Sequence, residues 1–195
     1  MSEFDFNALE GGWVEDLVSQ PGATTALKLG ALAYGLAGSA NPDEDFFYLG
    51  GPMTGIPQFN FPAFKQAAEV LRANGYNLVS PAELDDPETA AAAMQSADGA
   101  PGSGSANGET WSTFLARDVI ICALPTCVGG IFLPGWEFSS GAKLEMTVLD
   151  SLGKQLNAVN IVDGHVFLVP IVDHAADRTA AYEKRYLDAV KEDQA

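Results

Sequence analysis

The 195-residue chain is poor in cysteine, histidine and basic residues, and each shortage removes a class of function. Cys122 and Cys127 are its only cysteines, both in or beside apolar runs, with no histidine near enough to complete the four-ligand set that zinc needs. They read as free structural thiols, which suits a reducing cytoplasm. The two histidines, His165 and His174, lie nine residues apart and match no common metal motif, so neither is assigned a role. No metal and no cofactor is expected. Ten Lys and Arg against 26 Asp and Glu leave a formal charge of −16. A field of that sign repels DNA, RNA and anionic lipid, which argues against a nucleic acid polymer or a membrane surface as partner. A single small anion is different, because a local nest of backbone N–H groups can hold one phosphate despite the global charge.

Long apolar runs are missing too. Ala26 to Ala37 is apolar but contains Lys28 and falls short of the ~20 residues that a membrane span needs. Glu3, Asp5 and Glu10 make the start acidic rather than the basic start of a secretory signal. Two glycine signatures are also absent: no G-x-G-x-x-G and no G-K-[ST] occurs, which sets aside a Rossmann fingerprint and a P-loop.

What is present, 47% apolar and 18% charged residues, suits one globular domain with appendages. We read residues 1–44 as an N-terminal extension, helical in part, and 45–195 as the domain, with a flexible insertion near 85–108. Strands are expected at Phe46 to Gly50, Tyr76 to Ser80, Val128 to Leu133, Val159 to Val162 and Val166 to Val172. Phe61, Phe64, Ala67, Ala68 and Leu71 recur at helical spacing between the first two, and Asn74-Gly75 supplies the stop. Glu109 to Ala123 reads as a helix with Trp111, Phe114, Leu115 and Val119 inward, and Ala175 to Lys191 as a closing helix. Asp163-Gly164 is a hairpin signal. Strand, helix, strand repetition predicts an α/β three-layer sandwich with a mostly parallel sheet.

Two stretches carry chemistry. Tyr48-Leu-Gly-Gly-Pro-Met-Thr-Gly55 is a strand running into a glycine-rich turn, where backbone can approach a ligand closely. Leu133-Pro-Gly-Trp-Glu-Phe-Ser-Ser-Gly-Ala-Lys-Leu-Glu145 is a strand end, a loop and a helix start, with a carboxylate in the early helix turns beside an anion-friendly N-terminus. On the residues alone, the second stretch reads equally as an ordinary capped helix with Glu145 solvated.

Together with Arg117-Asp118, these stretches resemble the nucleoside 2-deoxyribosyltransferase superfamily, in particular a small branch common in bacteriophages. The likeness runs from about Phe46 to Leu152. It implies a flavodoxin-like sheet, cleavage of an N-glycosidic bond, Glu145 as nucleophile, Tyr48 on the first strand to position it, and Asp118 near the leaving base. Six residues before the nucleophile, transferases acting on free nucleosides carry aspartate, whereas the 2′-deoxynucleoside 5′-monophosphate N-glycosidases carry a serine that holds the phosphate. This chain has Ser139 there. The resemblance therefore implies hydrolysis of a deoxynucleoside monophosphate. Ser139, Gly141 and the turn through Gly51, Met53 and Gly55 would hold the phosphate end, with Trp136 either stacked on the base or packed in its loop. Base exchange between nucleosides and non-catalytic nucleotide sequestration are the alternatives. A homo-oligomer in the cytoplasm, the host's if the chain is phage-encoded, completes the expectation.

Overall fold

The computed structural model describes residues 45–101 and 110–171. The N-terminal extension, the Gly-Ser stretch at 102–109 and the expected closing helix lie outside the described residues. The described chain is a mixed α/β fold in which a five-stranded sheet, ordered β2-β1-β3-β4-β5, has helices on both faces.

Period-two alternation places the first strand. In β1 (Phe46–Gly50), Phe46 and Tyr48 enter one core and Leu49 enters the other, with Phe47 packed beside it. Helix α1 (Phe61–Ala73) covers the second core, burying Phe64, Ala67, Ala68 and Leu71 of the expected stripe against Leu49, Leu78 and Ile131, while Phe61, also buried, lies outside that cluster. At roughly 1.5–3 kcal/mol for each large apolar side chain buried, that stripe fixes the helix far more firmly than propensity does. The helix stops where Gly75, at φ 88°, turns the chain back and its N–H donates to the Arg72 carbonyl.

Strand β2 is only Leu78–Val79, shorter than the expected Tyr76 to Ser80, because it pairs with β1 alone at the sheet edge. Tyr76 lies outside the ladder, with its ring edge-on to Phe47. A larger departure follows: residues 87–95, expected within a flexible insertion, form helix α2 (Pro87–Gln95). Asp86 caps it by accepting from the N–H groups of Glu88 and Thr89, Pro87 opens it, and the alanine run that follows has the highest helix propensity. Thr89 and Ala93 are buried, and Gln58 ties the C-terminal end to the glycine turn through the carbonyls of Met94 and Ser96. Gly99 completes that contact at φ 63°, where a Cβ would lie 2.1 Å from the Ile56 carbonyl oxygen.

Helix α3 (Trp111–Ala123) buries Arg117, Asp118, Ile121 and Cys122. Its inner face is therefore rotated from the expected one, and Trp111 is 47% exposed. Strand β3 (Cys127–Phe132) runs parallel to β1, and a short 3-10 turn over Trp136–Phe138 leads into helix α4 (Ser140–Ser151). Helices α3 and α4 cover the face opposite α1. Strand β4 (Gln155–Val162) starts four residues before the expected one and pairs in parallel with β3. Strand β5 (His165–Pro170) returns antiparallel through Asp163 and Gly164, at φ 50° and 78°, the two positive φ angles of a type I′ turn. Cys122 and Cys127 are both free and buried. No described helix is long and apolar enough to cross a membrane.

The strand order decides where a ligand belongs. The chain leaves β1 to one side to make β2 and later crosses to the other side to make β3, so the order reverses at the carboxyl ends of β1 and β3. Open α/β sheets bind ligands in the crevice outside such a switch point.

Candidate active site

A cavity of about 290 Å³ opens at that position. Its walls come from the turn after β1 (Gly51, Met53, Thr54), the segment after β2 (Pro81, Asp85), and facing parts of α3 and α4. Glu145 lies on the floor, 6% exposed. Its Oε1 accepts a hydrogen bond of 3.1 Å from the Tyr48 hydroxyl, and its Oε2 lies against Gly50. Tyr48 has no exposed surface and lies behind the cavity wall, where the side-chain direction of β1 delivers it between α3 and α4. Gly50 allows the approach: a Cβ there would sit 2.5 Å from the Phe132 ring and 3.4 Å from Glu145 Oε2.

Beside Glu145 is a buried charge cluster. Arg117 Nε donates to Asp118 Oδ1 at 2.9 Å and Arg117 Nη1 donates to Asp85 Oδ1 at 2.6 Å, while the guanidinium also rests 5.4 Å from the Phe114 ring centroid. All three charged side chains are more than nine-tenths buried. Burial works against the Arg117 charge, but Asp118 and Asp85 more than offset it and hold the guanidinium above its ordinary range. Burial pushes Asp118 upward more strongly than Arg117 pulls it down, with Asp85 adding to the rise. Glu145 is pushed up to about 8, by burial first and the Asp118 charge second, against smaller lowering by Tyr48 and Arg117. Burial also raises the Tyr48 phenol well above its usual value, so it stays a donor to the carboxylate. At about 8, Glu145 holds its proton at neutral pH, although the role of nucleophile that the resemblance implies needs it ionised. Two carboxyls that each disfavour the other's charge in a buried setting titrate as a pair.

The start of α4 forms the opposite wall. Ser139 is the N-cap, its Oγ accepting from the Ala142 N–H at 3.3 Å, and its carbonyl accepts from the Lys143 N–H. The N–H groups of Ser140 and Gly141 have no intramolecular acceptor among the described residues, and both residues line the cavity. Two open donors, the positive end of a 12-residue helix and the remaining O–H of Ser139 make an anion cradle. The space beside Gly141 is open, since a Cβ there would meet nothing closer than 3.9 Å.

A family model described as Domain of unknown function (DUF4406) matches residues 46–99. The match takes in Tyr48, the glycine turn and Asp85, and ends before α3 and α4. No curated protein and no solved structure matches the chain.

Of the residues singled out in the sequence, Glu145, Asp118, Ser139, Gly141, Gly51 and Met53 all line the cavity. Three do not. Tyr48 reaches it through Glu145. Gly55, at φ 82°, turns the loop and donates its N–H to the Gly99 carbonyl instead of facing the cavity. Trp136 packs on Phe132 with ring centroids 5.6 Å apart, so it takes the loop-packing role rather than the stacking one. Glu137, a second carboxylate in the same loop, is exposed and outside the cavity.

Aromatic walls stand where Trp136 does not, among them Phe59 and Phe61, which from the sequence could line a base pocket, although a core or staple role suits them better. Phe59 and Phe61 enter from the glycine turn, Phe114 from α3, and Phe138, 90% exposed, stands at the rim. Phe59 is held in place at a cost, because Gln58, Phe59 and Asn60 all have positive φ, which non-glycine residues seldom adopt. Asn60 Nδ2 fixes this turn by donating to the Pro52 carbonyl at 2.8 Å. Asp85 was missed, since it stands in a segment with no periodicity, and only the fold brings it to Arg117. Among the described residues no group of three His, Cys, Asp or Glu side chains is arranged to hold a metal ion.

Proposed function

We propose that the chain is an N-glycosidase that hydrolyses a 2′-deoxynucleoside 5′-monophosphate to free base and deoxyribose 5-phosphate, on a sheet of flavodoxin-like arrangement. The observation that carries the reading is one cavity holding a tyrosine-bound carboxyl, a second carboxyl beside it, and an open helix N-terminus. Breaking the bond from deoxyribose to base builds oxocarbenium character at C1′ and negative charge on the base. Glu145, ionised, attacks C1′ from below the sugar, and Asp118, protonated, delivers its proton to the departing base. Water then attacks C1′ of the glycosyl ester, giving its proton to Asp118 and releasing Glu145 as carboxylate. The proton that Glu145 holds belongs on Asp118 for the first step. The shared proton of the pair supplies that arrangement without any change in net charge. Ser139 and the N–H groups of Ser140 and Gly141 hold the 5′-phosphate.

Base exchange between nucleosides uses the same first step and differs only in whether a second base or water accepts the sugar. The N-cap serine favours the monophosphate, because a serine leaves the helix start free for an anion where an aspartate would repel one. The test is incubation with each deoxynucleoside monophosphate, with and without a second free base. Free base alone is the expected product; a new nucleotide or nucleoside would assign transfer, and tight binding without products would assign sequestration.

A further inference from the structure

Arg117 needs one carboxylate to balance its charge, and Asp118 already provides it through Nε. Asp85 is a second partner, brought from a different element and also buried, and it balances the guanidinium when Asp118 carries the proton. Only Oδ1 of Asp85 is occupied, by Arg117 Nη1; Oδ2 has no partner among the described residues, and Asp85 lines the cavity.

The position of Asp85 in the cavity follows from the strand order. Ser139 and Gly141 mark the anion end, and Glu145 follows on the same helix. Asp85 stands on the segment after β2, across β1 from β3 and the start of α4, and Arg117 of α3 reaches it while also holding Asp118. A nucleotide laid along that line has its phosphate at α4, C1′ at Glu145 and its glycosidic nitrogen near Asp118. The edge of the base opposite the sugar then reaches Asp85, between walls that include Phe59 and Phe114.

Resting on the function proposed above, we infer that Asp85 reads the base: Oδ2 accepts a hydrogen bond from an exocyclic amino group on the edge remote from the sugar. Cytosine and adenine carry an amine there, whereas uracil, thymine and hypoxanthine carry a carbonyl oxygen, which a carboxylate repels. The site therefore takes the 5′-monophosphates of amino-bearing bases. The pairing with Arg117 fixes the Asp85 carboxylate in one orientation, so little side-chain freedom is lost when the base binds.

The experiment compares dCMP with dUMP and dAMP with dIMP, pairs that differ at this one substituent, by base release in the wild type and in Asp85→Asn. The wild type should prefer the amino member of each pair by roughly 10- to 100-fold in kcat/KM, the scale of one hydrogen bond to a charged group. Asp85→Asn, which offers a donor as well as an acceptor, should erase or invert that ratio. A wild type indifferent to the substituent, or an Asp85→Asn enzyme slowed equally on all four nucleotides, overturns the inference and leaves Asp85 a holder of Arg117. If Asp85→Asn does not fold, the wild-type ratios alone decide. Equilibrium binding of the same four nucleotides to Glu145→Gln separates this inference from the reaction. Amino-selective binding without base release by the wild type would keep base reading and sink hydrolysis, while base release without selectivity would do the reverse.

Discussion

The Tyr48 hydroxyl donates to Oε1 of Glu145 at 3.1 Å, joining the middle of β1 to the second turn of α4 across 97 residues of sequence. Tyr48→Phe keeps the ring that fills this core and removes only the donor. Loss of a hydrogen bond to a buried carboxylate costs about 1.5–3 kcal/mol, so kcat should fall roughly 10- to 100-fold. Since the Tyr48 hydrogen bond lowers the Glu145 pKa, its removal should also move that pKa further upward. A pH–rate profile displaced to higher pH identifies Tyr48 as positioning Glu145; a lower rate with an unmoved profile would assign it a packing role only.

Glu145 also bears on stability. Its carboxyl is held at about 8 in the folded chain against an ordinary 4.5. Below the lower value both folded and unfolded chains are protonated and the group costs nothing. As pH rises from 4.5 toward 8 the unfolded chain releases the proton and the folded chain does not, so stability falls across that window and then levels off. At about 1.4 kcal/mol per unit, the loss is on the order of a few kcal/mol. Glu145→Gln retains an acceptor for Tyr48 and does not titrate. Its Tm should match that of the wild type near pH 4 and exceed it increasingly toward pH 8. A constant difference in Tm at all pH values would show that Glu145 does not titrate in the way its surroundings require.

The same value sets the pH dependence of the proposed reaction. Catalysis needs one proton on the pair, on Asp118 while Glu145 attacks. The second deprotonation of the pair, near the value of about 8 to which burial pushes Glu145, removes the acid. Activity should therefore decline above about pH 8 rather than rise through it. Asp118→Asn takes away the neighbouring charge that raises Glu145, so the Glu145 pKa should drop and the alkaline limb should vanish along with most of the rate. A rate that climbs through pH 8 in the wild type would mean that Glu145 works with no proton on its partner.

Much of this arrangement was legible because local signals and global packing agree. Helix α1 has its apolar stripe, its proline start and its Asn74-Gly75 stop, and all three operate in the folded chain. The hairpin after β4 follows directly from Asp163-Gly164. Helix α2 was hidden because alanine and acidic residues look like a solvated loop; the Asp86 cap and Pro87 were the available signal. In α3 the charged Arg117 and Asp118 occupy the inner face and Trp111 the outer, so a search for apolar periodicity finds the wrong side. Asp85 and the left-handed Phe59 owe their positions to contacts with distant segments, which no local pattern records.

Ser139 combines two duties, capping α4 and facing the anion cradle. Ser139→Ala should lower stability by about 1 kcal/mol through the lost cap. It should separately weaken use of deoxynucleoside monophosphates by roughly 1 to 3 kcal/mol, while use of the unphosphorylated nucleosides changes little. Kinetics on matched nucleoside and monophosphate pairs, set beside thermal melts, distinguish the two effects. Equal losses on both substrates would confine Ser139 to its cap.

The strongest demand on the proposed chemistry is a covalent bond between Glu145 and C1′. Glu145 Oε1 is fixed by Tyr48, and the carboxyl lines the cavity about one turn beyond the open N–H groups of α4, a placement that brings one of its oxygens under a sugar whose phosphate sits on that helix start. A 2′-fluoro-2′-deoxyarabinosyl nucleotide slows breakdown of such an ester, because fluorine withdraws electrons from the oxocarbenium-like transition state. Incubation followed by peptide mass analysis should find the sugar phosphate on the peptide containing Glu145. Glu145→Gln should give no adduct and lose turnover by orders of magnitude while still binding nucleotide, since it keeps shape and hydrogen bonding but not the attacking charge. Glu137→Gln should label and turn over as the wild type does, its side chain being exposed and outside the cavity. An adduct on Glu137, or an active Glu145→Gln enzyme, would remove Glu145 from the reaction and with it the retaining mechanism.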